Sequence, residues 1–177
     1  MVKRIYYLFL LLLFLSGCSY SVYTSEYPHL KTILVQPFEN KTVEYTLGQD
    51  AQNSLVNAFM KDGRLKINTQ NPDAELRGEI LDFRKRIYSY DNAGSVEEYQ
   101  IQILFSVTFY DLKLNNEIYA NKNLLLTRTY NPTSDNINVE KTEEEAINKI
   151  LSNLFDDIIK NTLENWWELI SFWLNAN

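Results

Sequence analysis

Residues 99–109, YQIQILFSVTF, alternate between apolar and polar side chains with a period of two. Tyr99, Ile101, Ile103, Phe105, Val107 and Phe109 fall on one side of this run. Gln100, Gln102, Ser106 and Thr108 fall on the other. Successive side chains of a strand point to opposite faces, whereas a helix would scatter this pattern around its circumference. The run therefore specifies a strand with one buried face and one wet face, as in an antiparallel sheet covered on a single side.

The neighbouring sequence supplies partners for that strand. Residues 74–90 read as the preceding strand, joined through the turn Asp91-Asn92-Ala93-Gly94. Their alternation slips at Ile80-Leu81, which predicts a β-bulge. Asn115-Asn116 turns the chain again, and residues 118–129 read as a further strand. Upstream, residues 31–38, KTILVQPF, form a short β-branched run stopped by Pro37 and read as a buried strand. Residues 64–69, RLKINT, read as another. Asn71-Pro72-Asp73 is a turn, and residues 40–49 read as a loop that leads into a helix.

Two helices follow from spacing and capping. Thr46 with Gln49 three residues later fits a capping box. Ala51, Leu55 and Phe59 then recur at helical spacing, with Val56 and Met60 beside them. Gly63 is placed to end that helix in a left-handed conformation. Thr142 with Glu145 is a second capping box, and Glu143 and Glu144 suit the positive end of a helix. Ile147, Ile150, Leu151, Leu154, Ile158 and Ile159 form an apolar stripe that continues through Leu163, Trp166 and Trp167. The resulting order predicts an α+β two-layer sandwich, with two helices packed on one face of a four- to five-stranded, mostly antiparallel sheet.

The amino terminus has a different character. Lys3 and Arg4 precede an apolar run from residue 5 to 15, and Ser16 and Gly17 then lead into Cys18, the only cysteine. A basic start, an apolar middle and a small-residue end make a secretory signal peptide over residues 1–17. The run falls well short of the roughly 20 residues that cross a bilayer. Leu15-Ser16-Gly17-Cys18 also resembles a bacterial lipobox. That resemblance implies a diacylglyceryl group on the Cys18 sulfur, cleavage before it and acylation of the new amino group. Ser19, in place of Asp, implies sorting to the outer membrane with the body in the periplasm. Residues 18–28 then serve as the lipidated Cys and tether, and residues 29–177 as a single domain.

Composition narrows the function. Without Lys3 and Arg4 the chain has 15 basic residues against 23 acidic ones, which argues against nucleic acid as the main partner. With Cys18 carrying lipid, no disulfide can form and stability must come from packing. His29 is the only histidine and reads as a surface residue near the tether. A nucleophile–histidine system would have to use it. There is no Cys/His metal cluster, no EF-hand spacing and no phosphate-cradling glycine loop, so neither cofactor nor metal is expected. Glu143, Glu144 and Glu145 are accounted for by capping. These residues point to a protein that is not an enzyme.

Arg84, Lys85 and Arg86 form the densest basic cluster, with Tyr88 and Tyr90 beside it. Two readings stay open. Arginine forks suit phosphates such as those of lipid A, and basic residues also protect an exposed strand edge. The carboxyl-terminal stretch ENWWELISFWLNAN likewise has two readings. Trp166, Ile170, Trp173 and Leu174 continue the helix stripe, while Trp167 and Phe172 lie off it. Trp166, Trp167 and Trp173 then either close the domain core or contact a membrane interface or partner.

The order of these pieces resembles the LptE family of lipopolysaccharide-assembly lipoproteins. The matching stretches are CSYS from Cys18, HLKTILVQPFENKT from His29 and FMKDGRLKI from Phe59. They continue with AELRGEILDFRKRIYSYDNAGSVEEYQI from Ala74, VTFYDLK from Val107 and TLENWW from Thr162. Residues 168–177 extend beyond the usual end. The resemblance implies an outer-membrane lipoprotein that sits in an LptD-like β-barrel, helps it assemble, plugs it and binds lipopolysaccharide. A second class, lipoproteins that activate cell-wall enzymes or secretion-pore subunits, also has strands such as ILVQPFEN before a helix. A hydrolase is a third class, disfavoured by the missing His and Cys.

Overall fold

The computed structural model describes residues 27–164. The elements are β1 (Thr32–Val35), β2 (Glu39–Asn40), α1 (Leu47–Asp62), β3 (Lys66–Ile67), β4 (Ala74–Tyr90), β5 (Val96–Asp111), β6 (Asn116–Tyr130) and α2 (Glu143–Thr162). They form one six-stranded sheet in the order β3-β1-β4-β5-β6, with β2 also pairing β4. Both helices lie against its apolar face, and Phe59 of α1 meets Phe155 of α2 edge to face at 5.0 Å between ring centroids.

The sheet is mixed rather than mostly antiparallel, and it has one strand more than the sequence predicts. β4, β5 and β6 form an antiparallel meander. β1 runs parallel to both β3 and β4, and β2 runs parallel to β4. The reason is connectivity: α1 lies between the first two strands and β3, and a helical crossover returns the chain in the same direction. β2 is only two residues long, too short for any periodicity to register. The predicted strands over 31–38 and 64–69 shorten to four and two residues.

β5 carries the core as its alternation requires. Ile101, Ile103, Phe105, Val107 and Phe109 are all buried, between half-exposed neighbours. From the helices, Ala51, Leu55, Phe59, Ile150, Leu151, Leu154, Ile158 and Ile159 cover them. Met60, expected beside the α1 stripe, is instead 67% exposed, while Val56 packs against the core.

The two helix starts differ. At α2 the Thr142 hydroxyl accepts from the Glu145 N–H, and the Glu145 carboxylate accepts from the Thr142 N–H. At α1 no capping box forms. Thr46 has helical dihedrals and its side chain makes no cap bond. The Gln49 amide turns along the helix to Gln52 and Asn53 instead. A capping hydroxyl reaches the N3 amide from an extended backbone, which Thr142 has and Thr46 lacks. Gly63 ends α1 at φ 76°, as expected.

Candidate functional site

β4 and β5 run on past the helix layer as a long hairpin, and the basic triplet sits on it. The predicted bulge decides which way each residue points. Ile80 faces the helices and pairs with Phe105, and the register then slips so that Asp82 pairs with Leu104. Without the slip, Asp82, Arg84 and Arg86 would fall on the helix side with Ile80. With it, they fall on the open face, and Phe83 and Lys85 fall on the helix side.

The triplet is therefore divided. Arg84 pairs in register with Gln102, and Arg86 with Gln100. The Arg86 guanidinium donates from Nε and Nη2 to Gln100 Oε1 at 2.9 and 2.7 Å. Arg84 engages Asp82 through Nε at 2.7 Å, with side-chain exposures of 72% and 39%. An ion pair this exposed contributes about 0–1 kcal/mol and yields readily to a stronger anion. Two arginines two positions apart on one strand face, about 7 Å along it, can bridge a pair of phosphate oxygens. Gln102, Thr127 and Thr129 complete a polar surface beside them.

Lys85 has a different environment. Its Nζ lies 2.5 Å from Glu143 Oε2 in the first turn of α2. It also lies 5.5 Å and 5.8 Å from the ring centroids of Tyr99 and Tyr130, which stack at 5.3 Å. The bond to Glu143, and after it the Tyr130 hydroxyl, raise the Lys85 pKa above the ordinary lysine value. Lys85 thus fastens the hairpin to α2. Ile87, Tyr88 and Tyr90 are exposed farther along the strand.

At the opposite end of the sheet, His29 is not the free surface residue that the sequence suggests. Its Nε2 lies 2.5 Å from Asp111 Oδ2, and the Asp111 side chain is fully buried. Burial pushes the Asp111 carboxyl up, but the His29 bond and the Leu114 and Lys113 amides outweigh it and hold it below the usual carboxylate range. Nothing local in the sequence gives this pairing, because the two residues are 82 positions apart. One signal was available: Asp111 continues the buried series of Phe109, and a carboxylate on that face requires partners. Nearby, Asp73 is lowered to about 2, first by Lys113 and also by the Lys31 and Thr32 amides.

Among the described residues, no three His, Cys, Asp or Glu side chains gather to hold a metal. No described helix is long and apolar enough to cross a membrane. Cys18, Trp166, Trp167 and Trp173, together with the signal peptide and the predicted run-on of the last helix, lie outside the described residues.

Comparisons place this fold among known ones. A hypothetical protein from Chlamydia trachomatis superimposes with a TM-score of 0.51 at 12% identity, over 73% of this chain and 94% of its own. This likeness is one of fold. The PelC dodecamer protein of Paraburkholderia phytofirmans gives 0.46 at 16% identity, over 75% and 89%. An uncharacterised lipoprotein B from Nitrosomonas europaea gives 0.46 at 19% identity, over 74% and 81%. A search of curated protein sequences finds no match. The family model for LptE, lipopolysaccharide-assembly, matches residues 30–162, from shortly before β1 to the end of α2. The chain therefore belongs to the LptE lipopolysaccharide-assembly family.

Proposed function

We propose that this protein is the lipid-anchored partner of an LptD-like β-barrel in the outer membrane. It assists assembly of the barrel, occupies it as a plug and contacts lipopolysaccharide on its way to the surface. The observation that carries this reading is the family match across nearly the whole described domain. The leader ending in Leu15-Ser16-Gly17-Cys18 supports an acylated Cys18 and a periplasmic-side location.

In this reading the protein binds and scaffolds without catalysing a reaction. Arg84 and Arg86 meet lipid A phosphates from the open face of the sheet. Lys85 is the weaker helper, because Glu143 already holds its ammonium. Trp166, Trp167 and Trp173 contact an apolar partner or membrane.

Depletion in the native host tests the assembly role. The account expects less folded barrel in the outer membrane and greater permeability to bulky hydrophobic antibiotics. Normal barrel levels with an intact permeability barrier would contradict it.

A further inference from the structure

The bulge that turns Arg84 and Arg86 to the open face also turns Asp82 there, two positions before Arg84. Asp82 Oδ2 lies 2.7 Å from Arg84 Nε. Asp82 and Arg86 stand on opposite sides of Arg84 along the strand, so this contact draws the Arg84 guanidinium away from Arg86. Arg86 is held differently. Its Nε and Nη2 share the side-chain oxygen of Gln100, which also accepts from Gln102 Nε2 at 3.0 Å. These partners are neutral, so the Arg86 charge stays uncompensated while the Arg84 charge is met by a carboxylate.

The positive band is short. Arg84 with Gln102 and Arg86 with Gln100 form adjacent rows on the open face, about 7 Å apart. The row before them pairs Asp82 with Leu104, and the row after them pairs Ser89 with Glu98. A carboxylate therefore bounds the band at each end. The Ser89 hydroxyl donates to Glu98 at 3.4 Å, whereas Asp82 reaches a guanidinium. An anion can engage both arginines only by displacing Asp82 from Arg84. Once displaced, the Asp82 carboxylate remains a neighbour of whatever took its place. The anion thus forfeits an existing ion pair and meets a like charge.

We propose that Asp82 makes this surface selective for phosphomonoesters over phosphodiesters. The inference rests on the contact between these arginines and lipid A phosphates put forward above, and adds the residue that chooses among phosphates. A phosphodiester carries one negative charge, as the Asp82 carboxylate does, so exchanging one for the other at Arg84 gains nothing. A phosphomonoester carries about −1.5 to −2 charges near neutral pH and three terminal acceptor oxygens. It outcompetes the carboxylate, and its oxygens suit two guanidinium forks at once. An exposed arginine pair without Asp82 would take either phosphate. Asp82 sets the preference by competing for Arg84, without itself touching the ligand.

The test uses the mature chain, residues 18–177, with Cys18→Ser so that no acyl chain contributes. It is mixed at about pH 8 with phosphatidylcholine vesicles that contain equal fractions of phosphatidic acid, phosphatidylglycerol or lipid A, so that the monoester is fully charged. Phosphatidic acid and phosphatidylglycerol with the same acyl chains differ as phosphomonoester and phosphodiester. The arginine-dependent part of binding is the difference from the double variant Arg84→Gln, Arg86→Gln. That part should favour phosphatidic acid by about five-fold or more. Asp82→Asn keeps the shape and removes the charge. It should raise phosphatidylglycerol binding about three- to five-fold and phosphatidic acid binding less, so that the preference shrinks. The Asp82 side chain is 39% exposed, so the urea midpoint should stay where it is. An unchanged preference in Asp82→Asn, or no preference with Asp82 in place, would overturn the proposal and leave the arginine contact standing. Binding to all three lipids that is indifferent to Arg84→Gln, Arg86→Gln would remove the arginine contact itself, and this proposal with it.

Discussion

Lys85 Nζ and Glu143 Oε2 lie 2.5 Å apart and join the middle of the basic triplet to the first turn of α2. Arg84 and Arg86 point to the other face of the sheet. Three adjacent basic residues therefore have separate roles, and substitution should separate them. The double variant Arg84→Gln, Arg86→Gln should bind lipopolysaccharide several-fold more weakly, with a shallower dependence on salt. Its stability should change by less than about 1 kcal/mol, because both side chains are exposed. Lys85→Gln should affect binding less and loosen the hairpin against α2. Binding across a salt series, with hydrogen exchange over residues 83–99 and 143–147, checks both outcomes.

The two helix caps give a paired prediction. Thr142→Ala removes a hydroxyl that accepts from the Glu145 amide, and should cost about 1 kcal/mol. Thr46→Ala removes a hydroxyl that makes no cap bond, and should cost at most a few tenths. Urea denaturation of the two variants side by side measures the difference.

Phe38 covers Gly78 so closely that a Cβ there would lie 2.1 Å from the ring. Phe38 is itself buried and has little room to retreat. Gly78→Ala should therefore destabilise by about 1–3 kcal/mol. Combining it with Phe38→Leu should recover part of that loss, since the two sites share one space. A double-mutant cycle in urea is the measurement.

Acid should loosen the pole where the chain enters and leaves the domain. Asp73 is lowered to about 2, and Asp111 lies below its ordinary range. Both folded values lie below the unfolded one, so their contribution is fully present above about pH 4. It is lost as pH falls from there through the folded values. Asp73→Asn should lower stability at neutral pH and flatten the decline between about pH 4 and pH 2. Denaturation midpoints at stepped pH values check the sign.

The sequence made some of these relationships legible and hid others for physical reasons. The β5 alternation, the α2 capping box, the Gly63 terminus and the Ile80 bulge are all local, and each appears where its pattern puts it. β2 was hidden because a two-residue strand has no period, and the parallel ladders of β1, β2 and β3 because a strand's own pattern does not say which partner it takes or in which direction. The His29–Asp111 pair was hidden because it depends on the β5–β6 turn meeting the chain just before β1. For the candidate site, the bulge was visible but its effect on the triplet was not. Arg84, Lys85 and Arg86 read as one cluster along the chain, and the pleat places Lys85 across the sheet from the other two.

The central claim is partnership with an outer-membrane barrel. The most direct measurement is purification of the native, lipid-bearing protein from outer membranes in mild detergent, with identification and quantification of what accompanies it. The account predicts one integral β-barrel protein in equimolar amount, together with lipopolysaccharide. Recovery of a soluble cell-wall enzyme or a secretion-pore subunit, with no barrel present, would contradict it.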